Sequence, residues 1–188
     1  MCLMKRSALT TTHHRRRGFT LIETALATII VGTGVLAIIS SQQAFFKQNE
    51  WSTHASTGQR LGNEIRELTL HMPRHDPVTG ETFWGPEAFE LDVEDFDDLD
   101  DFDGDDGQGV AFSAALGNGP ISSLGIPITD MQGWSQRVFV ENINPFNIVG
   151  VVVDGSSDMM RVRVIVEYQG PADETPREIT RVTWLAPG

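Results

Sequence analysis

The sequence predicts an α+β protein, with one long N-terminal α-helix packed on a C-terminal antiparallel β-sheet of about four strands. Three observations point there. No proline occurs between Phe19 and Met72, and the first half of that stretch is almost wholly apolar or small. In its second half apolar and small residues recur at helical spacing, and Pro73 then stops the helix. After residue 135, four short runs rich in Val and Ile are separated by turn sequences, the pattern of strands.

Residues 1–18 read as a leader. They carry Lys5, Arg6, Arg15, Arg16 and Arg17 with no acid, and they hold the only cysteine, Cys2. Positive-inside bias places this end in the cytoplasm. Residues 19–188 carry nine basic side chains against 26 acidic ones, so nucleic acid is excluded as a partner of that part. An ordinary secretory signal is cut after its apolar core, and no good small-residue site stands near Ser40 or Ser41. A cut between Gly18 and Phe19 would instead leave the apolar helix on the mature chain.

Residues 19–41 are the expected transmembrane part. Phe19–Ile22 and Thr24–Ile39 supply about 20 apolar or small residues, enough for the ~30 Å of a hydrocarbon core. Glu23 interrupts them at a cost of about 2.5–3.5 kcal/mol on insertion scales, so its place near the membrane face asks for a reason. Gly32 and Gly34 do not form a GxxxG pair and are permissive rather than a dimer motif.

The wording Gly18-Phe19-Thr20-Leu21-Ile22-Glu23 resembles the type III signal of type IV pilins and type II secretion pseudopilins. In that family a prepilin peptidase cleaves after the glycine and methylates the new terminal phenylalanine. The resemblance implies cleavage between Gly18 and Phe19, N-methylation of Phe19, and an assembly role for Glu23 paired with the terminal amine of a neighbouring subunit. It also implies a pilin-like fold and partners comprising prepilin peptidase, inner-membrane lipid and other pilin or pseudopilin subunits. The expected location is a single pass of the inner membrane, N-terminus cytoplasmic and C-terminal domain periplasmic or extracellular, with assembly into a filament. Many major pilins carry a proline within this helix, and its absence here leans towards a minor subunit.

Residues 42–72 form the amphipathic part of the helix. Trp51, Ala55, Gly58, Leu61, Ile65, Leu68 and Met72 make one stripe, and its glycine and alanine suit a helix packed on a sheet better than a coiled-coil seam.

Residues 73–135 read as a loop-rich connector, broken by Pro73, Pro77, Gly80, Gly85 and Pro86. Between Glu87 and Asp106 it holds 12 acids in 20 residues and no base, with Phe89, Leu91, Phe96, Leu99 and Phe102 interleaved. Such a block is either a solvated loop or interaction surface, or a calcium site, since calcium takes six to eight oxygen ligands in flexible geometry. The candidate calcium ligands are Asp98, Asp101, Asp103 and Asp105. Asp101, Asp103 and Asp105 have the opening spacing of an EF-hand loop, but Asp106 and Phe112 stand where its glycine and glutamate belong. Asp97 to Gly104 is also similar to an Asp-Asp-x-Asp-Asp-aromatic stretch of some minor pilins of the mannose-sensitive haemagglutinin type.

Residues 136–188 read as an antiparallel β-meander with strands at 136–141, 148–154, 160–168 and 178–185. Val162, Val164 and Val166 alternate onto a dry face, and Arg161 and Arg163 onto the wet one, where they decorate the sheet or meet the acidic connector. Trp184 reads as core.

An enzyme is not expected. His13, His14, His54, His71 and His75 form no metal spacing, and the chain has no GxSxG, no P-loop and no glycine-rich phosphate cradle. The expected function is a structural subunit of a pilus-like filament, a minor pseudopilin or pilin of a type II secretion system or type IV pilus. The alternative is a calcium- or partner-binding module displayed at a filament tip or cell surface.

Overall fold

A computed structural model describes residues 18–78, 84–104 and 107–186. The Arg15–Arg17 cluster and Asp105 lie outside the described residues. The chain has a long N-terminal helix and an antiparallel sheet of five strands, and divides into two compact units, residues 1–48 and 49–188.

Helix α1 runs Leu21–Thr69. Thr20 opens it with a capping box: the Glu23 amide donates to Thr20 Oγ1 at 3.3 Å and the Thr20 amide to Glu23 Oε2 at 3.4 Å. Two orphan helix-start donors are satisfied at once, and the carboxylate sits at the positive end of the helix dipole. Within the first unit the helix is long and apolar enough to cross a membrane. Leu26, Ile29, Ile30, Val35, Leu36 and Ile39 are all exposed there. The hydroxyls of Thr24, Thr28 and Thr33 bond back to carbonyls one turn earlier at 2.9, 2.9 and 3.0 Å, so none asks for a partner from lipid.

In the second unit α1 buries Gly58, Leu61, Gly62, Ile65 and Thr69. The expected stripe holds from Ala55 to Met72, with Gly62 and Thr69 added to its face; Trp51 is exposed, with Arg177 over its ring at 5.6 Å. The helix ends three residues before the expected Met72. The residue before Pro73 is disfavoured in α conformation, and Thr69 Oγ1 closes the last turn on the Ile65 carbonyl at 2.9 Å.

The strands are β1 (Val110–Ser113), β2 (Trp134–Asn144), β3 (Asn147–Val151), β4 (Met160–Tyr168) and β5 (Arg177–Ala186). Their order is β1-β2-β4-β5, all antiparallel, with β3 paired only to the end of β2. Successive strands pair as expected in β2–β3 and β4–β5, but β4 pairs with β2 rather than with β3. β2 runs past residue 141 to Asn144 and offers β4 nine residues of register, from Trp134↔Tyr168 to Asn142↔Met160, against the two that β3 finds.

Val138, Val140, Val162, Val164 and Val166 are fully buried and form the dry face with Leu61 and Ile65 of α1. Burying such side chains contributes about 1.5–3 kcal/mol each. Trp184 packs against this core as expected. On the wet face Arg161 and Arg163 both meet Glu141 of β2, at 2.7 and 3.2 Å, and among the described residues neither forms an ion pair with the acidic connector. Arg163 also lies over the Phe139 ring at 4.8 Å.

Candidate functional site

Two places carry candidate function. The first is the start of α1. Gly18 and Phe19 precede the helix and are exposed, and Glu23 sits in the first turn. The residue missed by sequence reasoning is Thr20. Its signal was present, because Thr-x-x-Glu before an apolar run is the capping-box wording.

The second is the acidic segment, which is not solvated as a whole. Asp98, Asp100, Asp101 and Asp103 are 0–4% exposed, and Phe102 is fully buried. Phe102 meets Phe96 and Phe112 with ring centroids 5.1 and 6.3 Å apart, so the interleaved aromatics pull a short 3-10 turn, Asp100–Asp103, into the core. The carboxylates go in with it.

Their first neighbours are backbone amides. Asp98 Oδ1 accepts from the amides of Asp100 and Asp101 at 3.0 and 3.3 Å, and Asp101 Oδ2 from those of Asp97 and Asp98 at 3.0 and 3.2 Å. Asp100 Oδ2 meets His75 Nδ1 at 3.1 Å, and His75 packs edge-on against Trp84. Asp103 ties the segment to the sheet: Oδ1 accepts from the Val140 amide at 3.3 Å and Oδ2 from Trp84 Nε1 at 3.2 Å.

Of the four residues expected to bind calcium, Asp98 and Asp101 come together with Asp97, each offering a carboxylate oxygen within 4.8 Å of the others. Asp103 is not in that group, both of its oxygens being taken by protein donors. A second group joins Asp101 to Glu87 and Glu90. The EF-hand spacing is therefore not the principle of assembly. Glu87 and Glu90 were missed because they reach Asp101 through the fold and not through local spacing; only their own i, i+3 separation was visible.

Burial lifts Asp98 to about 8, helped by hydrogen bonding with Asp100 and by its charge. Burial also raises Asp100 to about 6, against the hydrogen bond with Asp98 that lowers it. Asp101 is raised by burial and the charge of Asp98, and Glu90 by burial and by Glu87. Asp103 is raised by burial, with Trp84 and the Val140 amide opposing. In each case the folded state holds a proton more tightly than the unfolded chain, whose aspartates titrate at about 4. Stability is then present at low pH and lost as pH rises from about 4 towards about 8. In chelating buffer the melting temperature of the full chain in detergent should fall between pH 5 and pH 8. Asp98→Asn, which keeps an accepting oxygen for its two amides, should flatten that profile, and a melting temperature that rises with pH would contradict the assignment.

No family model, no curated protein and no solved structure matches the chain.

Proposed function

We propose that the chain is a structural subunit of a pilus-like filament, cut after Gly18 by a prepilin peptidase and assembled from the inner membrane. The observation that carries this reading is the Gly18 to Glu23 wording placed directly at the start of a helix whose first half is apolar and exposed. Such a surface calls for lipid or for neighbouring helices of the same kind. An α+β layout behind the helix fits the same reading, and the proline-free helix favours a minor pilin or pseudopilin. Mass spectrometry of the mature N-terminus should find methylated Phe19. An intact leader, or a cut beyond Ser41, would sink the proposal.

Glu23 then has two roles to separate. Its carboxylate closes the capping box with Thr20, and on this reading it also faces the amine of a neighbouring Phe19. Glutamine still fits a capping box but carries no charge. Glu23→Ala and Glu23→Gln should both leave cleavage intact and both lower incorporation into filaments, by tenfold or more if a buried charge pair worth several kcal/mol is broken. Normal assembly of the Gln variant would assign Glu23 to capping alone.

A further inference from the structure

We propose that Glu87, Glu90 and Asp101 hold a calcium ion, in a site that ties the start of the acidic segment to its buried 3-10 turn. The proposal is independent of the assembly role of Glu23.

One oxygen from each of the three carboxylates lies within 4.8 Å of the others. Two oxygens bound to one calcium at about 2.4 Å can be no further apart than about 4.8 Å, so the separation is what a shared ion permits. A second observation is independent of that proximity. Asp101 is fully buried and its Oδ1 is sealed from solvent with no amide, hydroxyl or basic donor, while Oδ2 already accepts from two amides; its side chain also meets the carboxyl of Glu90, another acid of the same group. A buried carboxylate oxygen without a donor costs several kcal/mol unless a cation or a proton answers it. No basic side chain does so: among the described residues, neither Asp98 nor Asp101 has an ion-pair partner, and His75 engages Asp100.

The donor set selects the metal. Three carboxylates with no histidine or cysteine suit a hard cation, and disfavour zinc or copper. Carboxylates that bind through one or both oxygens accommodate calcium's variable coordination, whereas magnesium demands near-ideal octahedral geometry and retains its waters. The neighbouring group of Asp97, Asp98 and Asp101 shares Asp101 and is the weaker choice, since Asp98 Oδ1 is held by two backbone amides and Asp97 is exposed, whereas Glu90 Oε2 accepts from one amide, that of Glu87.

The test is titration of the full chain in detergent with calcium chloride, read by calorimetry and by melting temperature against chelating buffer. One ion should bind per chain and raise the melting temperature, with magnesium at equal ionic strength giving a much smaller shift. Asp101→Asn and Glu90→Gln should each weaken calcium binding tenfold or more, and Glu90→Gln serves if the Asp101 variant fails to fold. Asp92→Asn removes the same charge from the same segment outside the group and should bind as the wild type does. Absence of heat and of any melting shift with calcium would overturn the site, and so would equal weakening by Asp92→Asn, which would reduce the effect to general charge screening.

Discussion

Gly109→Ala is expected to destabilise the protein by about 2–5 kcal/mol, and Gly117→Ala by only about 1–2 kcal/mol. Both glycines have a left-handed backbone, with φ of 73° and 81°. A side chain at either pays the left-handed penalty, but the surroundings differ. A Cβ on Gly117 meets nothing within 4 Å, whereas one on Gly109 would stand 2.1 Å from the Val138 carbonyl oxygen and 2.9 Å from Phe139 Cδ1. Carbonyl and ring belong to β2, so β1 would have to withdraw from its partner along Val110↔Val138. The Gly109 amide also donates to the Asp103 carbonyl at 2.9 Å, which links the same displacement to the buried acidic turn. Chemical denaturation followed by tryptophan fluorescence measures both variants. Equal losses would mean that close approach at Gly109 contributes nothing beyond backbone strain.

That position also shows where reading the sequence stops. Helix α1 and strands β2, β4 and β5 were legible because their apolar periods are long: Val162, Val164 and Val166 declare a face, and so do Leu61, Ile65 and Leu68. β1 was not, because Val110–Ser113 is four residues set among glycines at 104, 107, 109 and 117, and composition alone reads that as loop. Its identity as a strand comes from an edge of β2 that needed covering. Legibility of the two candidate sites divides the same way. Gly18, Phe19 and Glu23 are contiguous or nearly so, and local wording finds them. The grouping of Glu87 and Glu90 with Asp101 depends on Phe102 being drawn into the core, and no local spacing encodes a tertiary event. The density of acids announced the region without announcing which acids would meet.

Gln136→Leu should cost about 2–4 kcal/mol although leucine is the more apolar residue. Gln136 stands second in the alternation that runs from Trp134 through Val138 and Val140, and it is fully buried on the same face. Its amide bridges three pieces of chain: Oε1 accepts from the Ile121 amide at 2.7 Å, and Nε2 donates to the Leu61 carbonyl at 2.8 Å and the Ile121 carbonyl at 3.1 Å. Leucine would gain transfer energy but strand a buried amide and a buried carbonyl of Ile121, each unsatisfied group costing about 1–3 kcal/mol. Gln136→Glu gives the sharper contrast. An ionised glutamate accepts from Ile121 but faces two carbonyl oxygens without a proton to offer, so the folded state must hold that carboxyl neutral. Its folded pKa is thereby raised, and the added loss of stability should grow as pH climbs above about 4. Denaturation midpoints at pH 5 and pH 8 separate the two variants: Leu should lose about the same amount at both relative to wild type, and Glu much more at pH 8. A leucine variant within about 0.5 kcal/mol of wild type would show that apolar packing alone joins α1 to this strand.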